Sequence, residues 1–138
     1  MKLQEAIEEA DRMRFGNAST PEDKIKWLSE LDNTIYNEVI VTHLQPLNGR
    51  WWYRDETGWH FRKFEKYTED DGEVELIAPE PYSVLYMYWL MAKIDLQARD
   101  TDYDQSNTLF ETAYSRFKAW YHRNHRAAPK PQIKVWRF

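Results

Sequence analysis

The segment APEPYSVLYMYWLMAKIDLQA, residues 78–98, decides the fold of this chain. Prolines at positions 79 and 81 stand where a helix can begin but cannot continue from an earlier turn. Apolar residues then recur at helical spacing in one stripe, formed by Leu85, Tyr88, Trp89, Ala92 and Leu96. A second apolar set, formed by Val84, Met87, Leu90, Met91 and Ile94, falls largely outside that stripe. A helix that is apolar around most of its circumference is buried on several sides, so this one is predicted to be central to a core or shared with a subunit interface.

Three further helices are predicted around this central one. Residues 2–15 carry an apolar stripe with acidic residues outside it. Thr20 offers a hydroxyl that suits the N-cap of a second helix, which we expect to run over 21–43. A wide aromatic stripe predicts a last helix over 105–125, and the central helix itself is expected over 82–99, packed against the second and the last. The sequence therefore predicts a mainly α protein, with residues 1–128 as a single helical domain.

Residues 48–66 form a segment in which aromatic and basic side chains replace the helical pattern. The sequence Asp55-Glu56-Thr57-Gly58 suits a tight turn, and aromatic residues flank it, so we predict a β-hairpin that pairs 50–55 with 59–64. An isolated hairpin is only marginally stable in water, and the four helices already carry complete apolar stripes. We therefore expect the hairpin to contact another subunit or a partner protein through Trp51, Trp52, Trp59 and Phe61.

The last ten residues, 129–138, are predicted to be an extended arm that begins at Pro129 and Pro131. Its residues alternate between two sides, with Ile133, Val135 and Arg137 on one and Lys134, Trp136 and Phe138 on the other, which suits a strand that adds to the edge of a sheet. Leaving its apolar side chains in water costs about 25 cal/mol per Å² of exposed surface, so we expect the arm to dock on a partner. The predicted interface residues of the arm are Lys130, Ile133, Lys134, Val135, Trp136, Arg137 and Phe138.

Charge is unevenly distributed along the chain. The net charge is −4, but residues 1–102 carry 12 Lys or Arg against 21 Asp or Glu, whereas residues 103–138 carry 7 against 2. Such asymmetry suggests head-to-tail contact between copies or an acidic partner, nucleic acid included. The chain has no Cys, which excludes disulfides and thiol nucleophiles. Its first residues lack the apolar run of a signal peptide, so we expect a cytoplasmic site of synthesis and residence.

No motif for catalysis or for metal binding is found. His122 and His125 lie one helical turn apart, but a zinc site needs three or four ligands, and no third ligand is placed by the pattern. With only four Gly, the chain has no glycine-rich phosphate loop, and no Ser stands in a nucleophile elbow. We expect no enzymatic activity, no cofactor and no bound metal.

Nucleic acid binding stays open as an alternative function. Basic side chains interleave with aromatic ones in the hairpin, at Arg50, Arg54, Arg62, Lys63 and Lys66, and such a mixture can neutralise phosphates and stack on bases. Neighbouring acidic residues dilute this charge, and the pI near 5.6 is low for a dedicated nucleic-acid-binding protein. An aromatic hairpin that packs on a neighbouring subunit explains the same residues.

Two stretches, PEPYSVLYMYWLMAKIDLQ at 79–97 and LFETAYSRFKAWYHRNHR at 109–126, resemble the head–tail connector proteins of tailed phages and prophages. The opening MKLQEAIEEADRMR and the later KIKWLSELDNTIYNEVI are similar to the N-terminal half of the same family. The resemblance covers residues 1–46 and 67–126 and includes no catalytic motif. The hairpin at 48–66 is an insertion relative to shorter relatives, and the arm after Pro129 matches no family motif.

This resemblance implies a structural virion protein. It implies a small helical bundle, here of four helices with the inserted hairpin, that assembles as a ring of about twelve copies beneath the portal protein. The ring extends the DNA channel, lets DNA pass without sequence-specific binding, and offers a surface to the next connector or tail protein. The implied location is the head–tail junction of the virion, and the host cytoplasm during assembly, with no membrane involved. The alternative is a nucleic-acid-binding phage accessory protein.

Overall fold

The computed structural model of the protein describes residues 1–128, which are mainly helical with one two-stranded antiparallel hairpin. The elements are α1 (Leu3–Met13), α2 (Pro21–Ile35), β1 (Trp52–Asp55), β2 (Gly58–Phe61), α3 (Val84–Gln97) and α4 (Tyr103–Asn124). A π-helical turn, Tyr36–Ile40, continues α2, and a 3-10 turn, Glu69–Asp71, follows the hairpin. The predicted mainly α class is confirmed over the described residues. The predicted arm, 129–138, lies outside them.

Helix α3 is the central element, as its sequence predicts. It packs against α1, α2 and α4, and its contact with α1 was not expected. Its buried apolar side chains are Leu85, Tyr86, Leu90, Met91, Ala92 and Ile94. The helix begins at Val84 rather than at residue 82, because the Tyr82 amide first closes a turn on the Pro79 carbonyl oxygen at 2.8 Å.

The predicted stripe of α3 is wrong at its C-terminal end. Leu96 is 51% exposed, whereas the neighbouring Asp95 is buried. Arg14, just beyond α1, donates to the Asp95 carboxylate from Nε at 2.7 Å and from Nη2 at 2.9 Å, and Ser106 of α4 donates to it at 2.7 Å. A buried carboxylate requires such partners. The side chain that joins three helices here is therefore polar, and Leu96 faces outward.

Helix α2 begins as its sequence predicts, because the Thr20 hydroxyl accepts the Asp23 amide at 3.1 Å and Pro21 occupies the first turn. Its α-helical part ends at Ile35 and not near residue 43. The π-helical turn that follows is marked by the Val41 amide, which donates to the Tyr36 carbonyl oxygen at 3.0 Å. Tyr36, at the start of this wider turn, lies against the hairpin.

Two backbone seams tie the loops to the helices. The Leu3 amide donates to Val74 at 2.9 Å, so the segment before α3 is paired with the beginning of the chain. At the other seam, the Leu44 amide donates to Arg126 and the Ala128 amide donates to Thr42, each at 2.8 Å. The second seam therefore holds the end of the described chain, up to Ala128, against the segment that follows the π-helical turn.

Candidate protein interface

The hairpin has the predicted turn and a short ladder. Trp52 pairs with Phe61 and Asp55 pairs with Gly58, so Glu56 and Thr57 form a two-residue loop. The Asp55 carboxylate accepts the Thr57 amide at 2.8 Å, and Gly58 has φ +119°, which side-chain-bearing residues rarely adopt. The strands are shorter than predicted, 52–55 and 58–61 in place of 50–55 and 59–64.

One hairpin residue belongs to the core, which corrects the expectation that all of its tryptophans face a partner. Trp51 is only 8% exposed and joins the hydrophobic cluster of the helices. Its ring lies 5.1 Å from that of Tyr36, and the Tyr36 hydroxyl donates to the Arg62 carbonyl oxygen at 3.0 Å. The two-stranded ribbon is too small to bury a face of its own, so its base is held by the end of α2.

The other predicted hairpin residues are more exposed than Trp51, although Phe61 also packs against the core cluster. Trp52 and Phe61 are half-buried and contact each other edge to face, with ring centroids 5.4 Å apart. Trp59, next to the turn, is 42% exposed. The outer part of the hairpin therefore carries partly exposed aromatic side chains of the kind that protein interfaces use.

A buried polar cluster joins α2, α3 and the segment between β2 and α3 on both sides of its 3-10 turn. Asp32 of α2 is fully buried, and it accepts hydrogen bonds from the hydroxyl groups of Tyr67 and Tyr86, each at 2.5 Å. The Ile77 amide also donates to this carboxylate, at 3.2 Å. The Tyr86 hydroxyl in turn accepts the Ala78 amide at 2.7 Å. These contacts fasten the chain on both sides of the acidic 3-10 turn.

Burial raises the pKa of Asp32 to about 6, although the hydrogen bonds from Tyr67 and Tyr86 act in the opposite direction. The carboxylate loses its hydration in the core, and three donors compensate only in part. Such a shift is also found at catalytic sites, but this carboxyl group is fully buried and its oxygens are already occupied by structural donors. The cluster therefore serves to position the loops.

An open groove of about 640 Å³ lies beside the hairpin and carries unbalanced positive charge. We call it the basic groove, lined by Arg50, Trp51, Tyr53, Phe61, Arg62, Lys63, Phe64, Glu65, Lys66, Tyr67, Thr68, Asp71 and Val74. The Arg62 guanidinium lies 4.2 Å from the ring centroid of Tyr53, and that of Arg50 lies 4.9 Å from the ring of Trp51. Stacking on a ring face leaves the N–H groups at the edge of a guanidinium free to bind an anion.

An acidic surface adjoins this groove. We call residues 69–75 the acidic edge, because they include Glu69, Asp70, Asp71, Glu73 and Glu75 and no Lys or Arg. Asp71 caps its own 3-10 turn, since its carboxylate accepts the Thr68 amide at 2.7 Å. Glu73 pairs with Lys2 at 2.7 Å at the surface.

His122 and His125, at the end of α4, contact aromatic rings. His125 stacks on Tyr121, with ring centroids 3.7 Å apart, while His122 lies edge-on to His43. Within residues 1–128, no group of three or more His, Cys, Asp or Glu side chains is placed to hold a metal ion. The two histidines therefore contact aromatic neighbours and are not arranged around a common centre.

Large apolar side chains are exposed away from the hairpin. Phe15, in the turn after α1, is 96% exposed, and Leu47 is 66% exposed. Val41 and Leu44 are also exposed and flank the seam that ends at Ala128. The predicted arm residues Lys130, Ile133, Lys134, Val135, Trp136, Arg137 and Phe138 lie outside the described residues, and their role stays a prediction.

Sequence reasoning did not identify Asp32 and Tyr86 as the polar centre of the molecule. A signal was present for Asp32, which lies four residues after Leu28 and three before Ile35 and so falls on the apolar stripe of α2. A carboxylate on such a stripe indicates a buried, hydrogen-bonded group. Nothing in the sequence indicates which hydroxyl groups it meets, because Tyr67 and Tyr86 are brought to it by the loop before α3 and by α3 itself.

The chain matches no protein-family model, no curated protein and no solved structure. Among the helices of residues 1–128, none has the length and apolar character that a membrane crossing requires.

Proposed function

We propose that this protein is a head–tail connector of a tailed phage or prophage, a structural virion protein and not an enzyme. The observation that carries the proposal is that the stretches of sequence that resemble the family are the same stretches that form the packed helices. The stretches that resemble the family, in 1–46 and 67–126, supply α1, α2, α3 and α4 and most of the buried cluster. The segment without a counterpart, 48–66, supplies the hairpin at the flank. When two proteins share a fold, the similar stretches of their sequences are expected to be those that form the packed core.

In this proposal, the four helices form the small bundle of the family, and copies of the chain assemble as a ring beneath the portal protein. The exposed aromatic side chains of Phe15 and Trp59 support an assembly role, because aromatic residues are enriched in protein interfaces. The arm 129–138 then extends from the seam at Ala128 toward a neighbour, the portal or the next connector. DNA passes through the ring without sequence-specific contacts.

The test is reconstitution with the portal protein encoded by the same genome. Purified chain is mixed with portal rings and examined by electron microscopy and sedimentation. We expect an added ring on the narrow end of the portal, and we expect a phage lacking the gene to produce DNA-containing heads without tails. A chain that neither binds the portal nor is found in purified virions would refute the proposal.

A second candidate function is nucleic acid binding, which Arg62, Lys63 and Lys66 around the basic groove favour. Binding of labelled duplex and single-stranded DNA, measured across a salt titration, separates the two functions. Tight binding by the monomer that falls steeply with salt indicates a nucleic-acid-binding accessory protein. The connector proposal expects weak binding that does not depend on sequence.

A further inference from the structure

The basic groove contains cations that the described chain leaves without partners. Arg62, Lys63 and Lys66 are exposed, and none of them forms an ion pair with a residue in 1–128. The segment 49–66 as a whole carries five Lys or Arg against three Asp or Glu in a protein whose net charge is −4. Like charges held close together repel one another, so an anion bound in the groove relieves this cost.

The complementary charge lies in the segment that adjoins the groove. Glu69 and Asp70 of the acidic edge are exposed and form no ion pair with any residue in 1–128. Asp71 and Val74, from the same edge, line the groove together with residues of the hairpin. The free cations of the basic groove and the free carboxylates of the acidic edge are therefore neighbours that do not pair within residues 1–128 of one copy. Each copy nevertheless exposes both sets.

The chemistry of the groove favours carboxylates over nucleic acid. The face of Tyr53 is covered by the Arg62 guanidinium, so this ring is not open to stack on a base. Asp71 and the exposed Glu65 repel phosphates and carboxylates alike, but a DNA duplex carries a continuous row of phosphates and cannot keep all of them away from these two residues. A guanidinium edge binds a carboxylate through two parallel hydrogen bonds, and an exposed acidic turn can present carboxylates one at a time.

We propose that the basic groove binds the acidic edge of a second copy of this chain. Every copy carries both surfaces at equal concentration, which makes the protein its own complementary partner. The groups are solvent-exposed, so the contact is weak by itself, strengthens at low salt and serves to set the register between copies. This inference concerns contact between copies and does not depend on attachment to the portal.

The first experiment identifies which groups meet. Unlabelled and nitrogen-15-labelled copies are mixed, then treated with a carbodiimide that joins Lys amines to carboxylates in direct contact. We expect cross-linked peptides of mixed isotope composition that join Lys63 or Lys66 to Glu69 or Asp70, with a yield that falls at high salt. Cross-links confined to single copies, or mixed cross-links located elsewhere, would overturn the proposal.

The second experiment exchanges the charges. The Lys63→Glu/Lys66→Glu chain and the Glu69→Lys/Asp70→Lys chain are each examined by sedimentation at low salt, alone and mixed. We expect each variant alone to self-associate about tenfold more weakly than the unmodified chain, as loss of two exposed pairs predicts, and we expect the mixture to recover association. The control is Lys118→Glu/Arg123→Glu on α4, which makes the same change of charge outside the groove and should self-associate as the unmodified chain does.

Circular dichroism of every variant verifies that the fold is retained. Failure of the mixture to recover association overturns the proposal, as does an unmodified chain that stays monomeric at low salt. A groove variant that loses binding to a short DNA duplex while its self-association is unchanged also overturns it and assigns the groove to nucleic acid. The portal reconstitution is scored independently, so failure of this contact and failure of the connector role are distinguishable.

Discussion

Replacing Tyr86 by Phe tests whether the buried cluster around Asp32 holds the loops onto the helices. The Tyr86 hydroxyl is fully buried, donates to Asp32 at 2.5 Å and accepts the Ala78 amide at 2.7 Å. Phe has the same ring and fills nearly the same volume, so the variant changes hydrogen bonding with little change in packing. The carboxylate loses one of three donors, and a buried amide loses its acceptor.

The magnitude follows from those two losses. A buried amide left without an acceptor costs about 1–3 kcal/mol, and a hydrogen bond to a charged group contributes about 1.5–3 kcal/mol. Partial rearrangement of the remaining donors offsets part of the sum, so we expect the free energy of unfolding to fall by about 3 kcal/mol. For a domain of this size, that corresponds to a decrease in melting temperature of roughly 10 °C.

The assay is urea unfolding followed by circular dichroism at neutral pH and again near pH 5. The loss should be smaller at the lower pH, because a protonated Asp32 needs fewer donors. The matched control is Tyr103→Phe at the start of α4, because Tyr103 is half-buried and its hydroxyl makes no hydrogen bond with a described residue. The effect of this control should stay within about 0.5 kcal/mol. If Tyr86→Phe costs no more than this control, the cluster does not stabilise the fold and the reasoning is wrong.

Four further outcomes are expected. Burial raises the pKa of Asp32 to about 6 from 3.8, so the folded state binds this proton more tightly than the unfolded state. The contribution of Asp32 to the free energy of unfolding should therefore be largest below about pH 4 and fall by about 3 kcal/mol as the pH rises through 6. A pH profile of stability no steeper than that of Asp32→Asn would contradict this. Trp89→Ala should cost about 2–4 kcal/mol in urea unfolding, because the half-buried indole donates to the Trp27 carbonyl oxygen at 2.8 Å and lies 4.9 Å from Phe110; a loss under about 1 kcal/mol would place the ring at the surface. Trp51→Ala should cost about 3 kcal/mol while Trp59→Ala changes stability by less than about 0.5 kcal/mol, and equal effects would contradict the division of the hairpin into a buried base and an exposed tip. Truncation after Ala128 should leave the melting temperature unchanged and reduce incorporation into the head–tail junction, and normal incorporation would eliminate the arm hypothesis.

The sequence by itself determined the helices and the place of the hairpin. Thr20 and Pro21 begin α2 through local capping, and the apolar periodicity of α3 predicts its burial, because each of these signals acts within a few residues. The turn before Gly58 is likewise local. Such features depend on residues that are close in sequence, so they can be predicted without knowing the distant contacts of the chain.

Only the tertiary structure decided which side chains meet across the chain. The sequence predicts Trp51 to be a hairpin residue that faces a partner, yet it is buried because the end of α2 places Tyr36 against it. Leu96 and Asp95 are adjacent in α3, and Arg14 from the end of α1 determines that the carboxylate, and not the leucine, is covered. The basic groove and the acidic edge adjoin because the loop after the hairpin returns toward the start of the chain. Periodicity predicts which face of a helix is buried. The partner of each buried group is determined by packing between residues far apart in sequence, and a local sequence pattern does not contain that information.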